Sequence, residues 1–392
     1  MTRAVKTPRI IGWSHTGFGK RAEPDTEALL AAVSADALAH AELPVEDLDG
    51  IFVGVYNNGF SRQDFQAALV GVGQERLSRI PATRLENACA TGSAALYAAL
   101  DFVAAGRGRT ALVIGAEKMT GVPGDEVGDI LLSASYRKEE ADYGSFAAVF
   151  GTIAAAYFER HGDHRDVLAR IAAKNHRNGV ANPWAQIRKD LGFEFCNTVS
   201  DRNPLVADPL RRTDCSLVSD GAAAVVVASP DIAARAPRAV GFRGRAHAND
   251  ALPLSRRDPL EFAGARDAFG AALAEAGITL DDLDLIETHD CFTIAELLQY
   301  EAFGLAERGK GRRVVDEGLA ERDGKLPINV SGGLKAKGHP VGATGVSMHV
   351  LAAMQLTGQA ADLQLPRADL AAVFNMGGAA VANYASVLER VR

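Results

Sequence analysis

The chain of 392 residues is 47% hydrophobic and carries 42 lysines and arginines against 49 aspartates and glutamates, a net charge of −7. This predicts a large core in two or three domains, and argues against nucleic acid or an anionic membrane as the main partner. There is no signal-peptide pattern and no apolar run near the roughly 18–20 residues of a membrane span, and the four cysteines form no CxxC pair, so we expect a cytoplasmic protein without a disulfide framework or a zinc site.

Two segments of the chain share one pattern. Residues 29–55 comprise an Ala-rich amphipathic helix, an acidic turn and a short apolar strand, and residues 268–287 repeat the three in the same order. An Ala-Thr-Gly motif then starts a predicted helix in each half, over 92–105 and over 345–356. Each helix leads to a further apolar strand. Duplication of a βαβ-rich domain explains this shared order better than chance similarity among Ala-rich helices.

The segment between the halves, residues 122–214, differs in texture. It contains Gly-Pro turns and two predicted helices, over 146–160 and 165–178, and it indicates an inserted loop domain. An unbroken apolar run at 222–228 then predicts a strand buried on both faces, and Ser219-Asp220-Gly221 before it is interpreted as a turn. The predicted domains are an N-terminal half (1–121 plus about 215–245), the loop domain (122–214) and a C-terminal half (246–392).

Cys89 stands at the start of the first Ala-Thr-Gly helix, in Cys89-Ala90-Thr91-Gly92. A nucleophilic cysteine acts as the thiolate, and the backbone N–H groups at a helix start lower the pKa of a thiol there. The alternative is a small cysteine buried in an α/β core, the commoner fate of free cysteines. Taken alone, Cys89 would favour that alternative.

His339 lies in Gly338-His339-Pro340, on the segment that leads into the second Ala-Thr-Gly helix. The glycines and the proline predict a tight, rigid loop rather than a helix face, and a histidine fixed on such a loop indicates a site residue. It would accept the proton of Cys89, or donate to an oxygen that develops negative charge. The neighbouring Lys335 and Lys337 are interpreted as solvated loop charges, with phosphate binding as the alternative.

His289-Asp290-Cys291-Phe292 follows an apolar strand predicted at 283–287. Ligands of α/β sheets gather at the carboxyl ends of strands, and a thiol with a pKa near 8.5 transfers protons close to neutral pH when its neighbours adjust it. The alternative is that His289 or Asp290 merely caps a helix beginning near Ile294. For Asp290 that alternative is as well supported, whereas for Cys291 we prefer the catalytic interpretation.

The last motif, Asn375-Met376-Gly377-Gly378-Ala379, follows the final apolar strand. Paired glycines expose backbone N–H groups, which form an oxyanion hole at little steric cost. A tight turn between two core strands is the alternative, and for this motif alone it would be preferred.

Together these motifs resemble the thiolase family, specifically the branch of sterol-carrier-protein-2-type thiolases and archaeal acetyl-CoA acetyltransferases. The resemblance spans nearly the whole chain and is carried by Asn87–Ser93, Cys215–Ala224, the His289–Phe292 tetrad, Asn329–Gly345 and the closing Asn375–Arg390 run. The block from Asn329 is highly specific, whereas the turn before the 222–228 strand is not. The resemblance implies an α/β thiolase fold, in which two duplicated βαβαβαββ halves form five α-β-α-β-α layers with an inserted loop domain.

The resemblance also implies roles for the matching residues. Cys89 would be the acylated nucleophile. His339 would activate it and help to polarise a thioester oxygen, and His289 stands where most thiolases carry an asparagine that positions a water for the same oxygen. Cys291 would be the acid/base that protonates the leaving enolate and then deprotonates the incoming CoA thiol. Commoner thiolases place that cysteine at the position of Asn375, so Cys291 supplies the substitute.

The remaining implied site residues surround these side chains. The backbone N–H groups of Cys89 and Gly377 would form a second oxyanion hole. Lys335, Lys337 and Gly338 are predicted to contact the substrate, and no metal is expected. Cys196 and Cys215 match no catalytic position.

The implied function is reversible Claisen condensation or thiolytic cleavage of 3-ketoacyl-CoA through an acyl-Cys89 intermediate, with acyl-CoA and CoA as substrates and no separate cofactor. The alternatives are a condensing acyltransferase or an aldol-type lyase of sterol or specialised metabolism, and a non-catalytic partner subunit. The resemblance implies a homodimer or tetramer and a small zinc-ribbon/OB-fold partner protein. We expect no binding of nucleic acid or membrane.

Overall fold

A computed structural model gives the fold and describes residues 7–392, except for the side chain of residue 125; the first six residues of the predicted N-terminal half lie outside it. The strands are β1 Arg9–His15, β2 Ile51–Gly54, β3 Ala82–Leu85, β4 Thr110–Glu117, β5 Leu205–Ala207, β6 Leu210–Arg211, β7 Gly221–Ala228, β8 Val240–Asn249, β9 Leu285–Glu287, β10 Leu370–Gly377 and β11 Ala382–Arg390. The helices are α1 Thr26–His40, α2 Gln66–Gly73, α3 Thr91–Ala104, α4 Gly124–Leu132, α5 Arg137–Glu140, α6 Phe146–His161, α7 Arg165–Gly179, α8 Gly192–Asn197, α9 Pro230–Ala233, α10 Ala263–Ala276, α11 Thr293–Ala302, α12 Arg312–Asp316, α13 Gly333–Lys337 and α14 Thr344–Leu356.

The main sheet repeats one strand order on both sides of a central junction. Within the described range, nine strands hydrogen-bond in the order β3-β2-β4-β7-β1-β8-β11-β10-β9. The junction between β1 and β8 is narrow, with Arg9 opposite Gly241 and Ile10 opposite Val240. Outward from it, the order is β1-β7-β4-β2 in the first half and β8-β11-β10-β9 in the second. In each half the first two pairings are antiparallel and the third is parallel. A parallel bridge between Ile286 and Ile328 takes the place that β3 has in the first half. The topology therefore shows the duplication predicted from sequence.

Helices complete five layers around the two half-sheets. α1 packs on β1, β7 and β4 of the first half, and α10 packs on β8 and β11 of the second. α14 lies between the halves, against β4 and β7 on one side and β10 and β11 on the other. α3 lies beside it, packed on β2 and β4 while the Tyr97 hydroxyl donates to the Ala385 carbonyl of β11 at 2.6 Å. The α-β-α-β-α arrangement is confirmed.

The repeated Ala-Thr-Gly motifs place a glycine where α3 and α14 cross. A Cβ on Gly92 would lie 2.8 Å from the backbone nitrogen of Val346. A Cβ on Gly345 would overlap the backbone nitrogen of Ser93 and lie 2.5 Å from its Oγ. These distances are well inside the roughly 3.5–4.0 Å of good packing, so each helix needs a residue without a side chain there. The repeated motif thus specifies how closely the two central helices pack.

Residues 122–214 contribute α4 to α8 and the two-stranded sheet of β5 and β6. α6 and α7 both pack on α11, and the ring of Phe150 stacks on that of Phe292 at 4.4 Å between centroids. This contact joins the segment to the tetrad that contains Cys291. The division of the chain into three domains stays a prediction. Among the described residues, no helix combines the length and the apolar character needed to cross a membrane.

Candidate active site

Cys89 lies on the turn between β3 and α3. The preceding residue, Ala88, has a φ of 49°, a left-handed conformation that is uncommon for a residue with a side chain. Cys89 is buried, and burial raises the pKa of its thiol to about 12, although the backbone N–H groups of Gly378 and of Cys89 itself act in the opposite direction. The expectation that the helix start lowers this pKa is wrong for the resting protein. α3 begins only at Thr91, and desolvation outweighs the N–H groups.

His339 is held so that one ring nitrogen faces the site with a free lone pair. Its Nδ1 lies 2.7 Å from the Thr344 Oγ1, and that hydroxyl donates to the Pro340 carbonyl at 3.0 Å. Because the hydroxyl proton is used there, the Thr344 oxygen accepts from Nδ1–H, and the neutral ring keeps its lone pair on Nε2. Nε2 is buried without a hydrogen-bond partner in the described part of the chain. Burial, and then Lys337, lower the pKa of His339 to about 3.

His289 follows β9, is fully buried, and carries the opposite arrangement of protons. Its Nδ1 lies 2.9 Å from the Asn375 Nδ2, and the same Nδ2 lies 3.0 Å from the carbonyl oxygen of Cys89. The Asn375 Nδ2 donates to both, so His289 accepts at Nδ1 and bears its proton on Nε2. Nε2 has no partner among residues 7–392. Burial, followed by His339 and Lys337, lowers the pKa of His289 well below 6.5.

The sulfur of Cys89 and one ring nitrogen from each of His289 and His339 all lie within 4.8 Å of one another. The two imidazole rings meet edge to face, with 5.0 Å between centroids. Sulfur and nitrogen atoms at this spacing also suit a metal, which requires a lone pair on each nitrogen. The proton on the His289 Nε2 opposes that use. The arrangement fits an oxygen atom that accepts a hydrogen bond, and the absence of a metal stays our expectation.

Cys291 lies four residues after the end of β9 and is buried. Burial raises the pKa of its thiol well above 9.0, and the nearby Cys89 and Asp290 raise it further. The backbone is fixed because the Ser216 N–H donates to the Cys291 carbonyl at 2.8 Å. Cys291 therefore rests as a protonated thiol within electrostatic range of Cys89.

Asp290 caps a helix, but a different one from the helix considered in the sequence analysis. Its carboxylate accepts from the backbone N–H groups of Leu334 at 2.6 Å and Lys335 at 3.2 Å, in the first turn of α13. α11 begins at Thr293 without a side-chain cap, so the interpretation of His289 or Asp290 as its cap is wrong. Burial, and then Glu296, raise the pKa of Asp290 to about 7.

Lys335 and Lys337 are only 1% and 0% exposed, so their interpretation as solvated loop charges is wrong. The carboxylate cap turns this segment into the one-turn helix α13, which points both side chains inward. The Lys335 Nζ donates to the Cys215 carbonyl, and the Lys337 Nζ donates to the Ser347 Oγ at 3.0 Å. Burial lowers the pKa of both lysines. Their predicted contact with substrate, like that of Gly338, stays a prediction.

Two buried carboxylates that hold the surrounding loops were missed. Asp220, interpreted as part of a turn, accepts from the backbone N–H of Thr120 at 2.8 Å and from its hydroxyl at 2.7 Å. Glu117 accepts from the N–H groups of Asn57 and Gly342, both at 3.0 Å, and burial raises its pKa to about 7. Glu117 thereby ties the Cys89 half to the His339 segment. An acid at the end of a fully apolar strand was the available signal.

The glycine pair lies at the end of β10, with Gly377 as its last residue, so the Asn375 motif begins inside the strand rather than after it as expected. The pair contacts the Cys89 turn in two ways. Apart from the N–H of Cys89 itself, the backbone N–H that acts on the Cys89 sulfur belongs to Gly378. Gly377 lies against the turn itself, where a Cβ would overlap the Asn87 carbonyl oxygen. The predicted oxyanion hole of the Cys89 and Gly377 N–H groups stays a prediction, and Gly378 is a donor that the sequence analysis did not select.

Apolar side chains form a separate cluster around the Cys89 sulfur: Tyr56, Phe60, Met119, Val127, Ile130 and Val341. Two of them come from α4, in the segment between the halves. The Tyr56 hydroxyl donates to the Ile130 carbonyl at 3.0 Å and fastens α4 over the cluster. These side chains form the apolar surroundings of Cys89.

Known protein families, curated proteins and solved structures resemble this chain along nearly its whole length. The family models described as "Thiolase, N-terminal domain" and "Thiolase C-terminal domain-like" match residues 9–231 and 246–390. An acetyl-CoA acetyltransferase of Methanothermobacter thermautotrophicus is 35% identical over 373 residues, covering 94% of this chain and 96% of that protein. Human sterol carrier protein 2 is 32% identical over 395 residues, covering 94% of this chain and 69% of that protein. The solved Ltp2–ChsH2(DUF35) aldolase shares the fold, with a TM-score of 0.81 at 20% identity, covering 99% of this chain and 98% of that one. The chain belongs to the thiolase family.

Proposed function

We propose that the protein is an acyl-CoA C-acyltransferase that forms or cleaves 3-ketoacyl-CoA through an acyl group carried on Cys89. The observation that supports this most directly is the convergence of the Cys89 sulfur and two imidazole nitrogens within 4.8 Å, with a second thiol, Cys291, nearby. The acetyl-CoA acetyltransferase name of a relative that covers nearly the whole chain supports the same class. CoA and acyl-CoA are then substrates, and no separate cofactor takes part.

In the cleavage direction, the first half-reaction transfers an acyl group to the enzyme. The Cys89 thiol gives its proton to the His339 Nε2 as the sulfur attacks the keto carbon. The bond between C2 and C3 breaks, and its electron pair forms the enolate of the departing thioester. The enolate oxygen accepts hydrogen bonds from the imidazole N–H groups of His289 and His339. Cys291 protonates the enolate carbon, and acetyl-CoA leaves.

The second half-reaction restores the enzyme. The Cys291 thiolate takes the proton of an incoming CoA thiol, whose sulfur attacks the acyl group on Cys89. The Cys89 sulfur leaves and regains its proton from His339. Cys89 and Cys291 thereby regain the protons that they gave up in the first half-reaction. The same steps in reverse give condensation.

The resting charges suit this sequence of steps. Burial raises the pKa of Cys89 to about 12 and lowers that of His339 to about 3, so thiol and imidazole both rest neutral. A resting neutral Cys291 is ready to act as an acid. Charge therefore forms only as substrate bonds rearrange, when the N–H groups of the site stabilise it.

Mass spectrometry of the intact protein after incubation with acetyl-CoA tests the proposal. We expect a covalent acetyl group on the wild type and on Cys291→Ala, and none on Cys89→Ala. Cys291→Ala should also lose carbon–carbon bond chemistry, and exchange of the acetyl group with CoA should become slower, because Cys291 is the base for the CoA thiol. Cys196→Ala is the matched control, because Cys196 is a buried thiol packed among alanines of α7. A stable acetyl adduct on Cys89→Ala would contradict the proposal.

An aldol-type lyase is the second candidate, because a neighbour that shares the fold is named an aldolase. A lyase need not pass through an acyl cysteine. Retro-aldol cleavage that survives in Cys89→Ala, together with no acetyl adduct on the wild type, would favour it.

We also propose that two copies of the chain associate along β3. β3 ends the order of the described sheet strands, so one side of its backbone lacks a neighbouring strand. The adjacent segment exposes Phe65 (76%) and Val72 (64%). Light scattering should show a dimer that Phe65→Glu weakens, and an unchanged mass in that variant would contradict this interface. A small zinc-ribbon/OB-fold partner, for which the DUF35 partner in the neighbour's name is the precedent, and a cytoplasmic location stay proposals.

A further inference from the structure

We propose that Asn375 is a positioning residue that fixes the proton of His289 on Nε2 and so makes His289 a hydrogen-bond donor to the reacting oxygen. The inference rests on the proposed function for its catalytic consequence, but the position of the proton is a property of the free enzyme. Asn375 is fully buried and lies on β10 of the C-terminal half, whereas Cys89 lies on the turn before α3 in the N-terminal half.

The contact with the Cys89 carbonyl determines which end of the Asn375 amide carries the hydrogens, and the contacts with Ser93 and His289 are consistent with it. Nδ2 lies 3.0 Å from the Cys89 carbonyl oxygen, an atom that only accepts. On the other side, the Ser93 hydroxyl donates to Oδ1 at 2.8 Å. Exchanging the two ends would put an amide oxygen against the Cys89 carbonyl oxygen. The NH₂ group therefore faces Cys89, and its second hydrogen points to the His289 Nδ1 at 2.9 Å.

The packing leaves the amide no room to rotate. A Cβ on Gly345 would overlap the Asn375 Oδ1, so the first turn of α14 presses directly on this oxygen. Ser93 belongs to α3, so both central helices hold the amide in place. The second Ala-Thr-Gly motif thus carries a glycine for two reasons, the crossing of the helices and the space for Asn375.

The result is a pair of imidazoles with complementary roles. His339 presents a lone pair on Nε2 and acts as the base, whereas His289 presents Nε2–H and acts as the donor. If His289 held its proton on Nδ1, its Nε2 lone pair would face an oxygen with developing negative charge. His339, once protonated by Cys89, would then be the one imidazole that donates to the enolate, and the lone pair of His289 would repel it. An acceptor-only side chain at 375 would produce that state, so the amide is chemically required at this position.

The test is ¹⁵N magic-angle-spinning NMR of the full-length protein labelled on its histidine rings, with His289 assigned by the signals lost in His289→Gln. We expect a neutral His289 protonated on Nε2 in the wild type, and loss of that single form in Asn375→Ala. Asn375→Asp is a second variant, in which an ionised carboxylate accepts from Nδ1–H and moves the proton to Nδ1. Thr344→Val is the matched control, because it removes the partner of His339 and should leave the His289 signals unchanged. A wild-type His289 protonated on Nδ1 or on both nitrogens, or a pure Nε2–H form that persists in Asn375→Ala, would overturn the inference.

Steady-state and half-reaction kinetics give the catalytic readout. Loss of one oxyanion donor lowers kcat by about 10²–10³-fold. We expect a fall of that order in Asn375→Ala with little change in the KM for acyl-CoA, since the donor acts when the enolate forms. The NMR result does not depend on turnover, so it tests the proton position even if acetylation of Cys89 fails. Full condensation activity in Asn375→Ala would count against the catalytic role.

Discussion

Gly345→Ala tests whether the crossing of α3 and α14 is as tight as the structure shows. Gly345 lies in the first turn of α14, and the added methyl group would overlap the Ser93 nitrogen and the Asn375 Oδ1 and approach the Ser93 Oγ to 2.5 Å. The obstacles are the α3 backbone and a buried side chain packed between two helices. Neither has free space to move into, so the helices must separate or the hydrogen bond between Ser93 and Asn375 must break.

The expected cost follows from these contacts. Overpacking a core by one methyl group costs about 1–3 kcal/mol, and loss of the Ser93–Asn375 hydrogen bond costs about 1 kcal/mol. The better helix propensity of alanine returns up to about 1 kcal/mol. The free energy of unfolding should therefore fall by about 1–3 kcal/mol.

Gly270→Ala is the matched control for this prediction. Gly270 is an exposed glycine inside α10, and a Cβ there meets nothing within 4 Å. The same substitution should stabilise the protein by about 0.5–1 kcal/mol, because it lowers the entropy of the unfolded chain. Urea unfolding at one protomer concentration measures both variants, with the midpoint read at constant slope. A Gly345→Ala protein as stable as wild type, or stabilised like Gly270→Ala, would refute the reasoning.

Three further predictions concern buried charge, pH and the acyl pocket. The Lys174 Nζ lies 2.5 Å from the fully buried Glu296 carboxylate, so Lys174→Met leaves that carboxylate without its cation. The free energy of unfolding in urea should fall by about 3–5 kcal/mol, and adding Glu296→Gln should recover part of the loss. Burial lowers the pKa of His349 to about 4, so unfolding takes up a proton between pH 6.5 and 4, and the free energy of unfolding decreases as the pH is lowered through that window. His349→Gln should reduce the slope of the free energy of unfolding against pH by up to about 1.4 kcal/mol per pH unit. An unchanged slope would contradict a neutral His349. Ile130→Ala removes bulk from the apolar cluster and so enlarges the space beside Cys89. The kcat/KM for longer 3-ketoacyl-CoA should rise by about tenfold or more relative to that for the short substrate, and a panel of substrates of increasing chain length measures this ratio.

Sequence patterns were sufficient for the repeated elements. α3, α6, α7 and α14 end within one residue of their predicted bounds, and both acidic turns form a short 3₁₀ helix, Val45–Asp47 and Leu280–Asp282. These elements depend on periodicity and local turn residues, which are readable over a few positions. β8 was not predicted, because arginines and a histidine alternate along it and its pairing with β1 and β11 joins residues distant in the chain.

By itself, the sequence determined the duplication, the two central helices and the identity of the chemical groups, because each is encoded in a short local pattern. Tertiary structure alone decided the state of those groups. Asp290 buries Lys335 and Lys337 by capping a helix more than forty positions away, and burial rather than the helix start controls the Cys89 thiol. The proton positions on the histidines were equally unreadable, because the partners that set them are a threonine after His339 and an asparagine 86 positions from His289. Hydrogen-bond partners and desolvation are properties of neighbours in space, and only the folded chain brings those neighbours together.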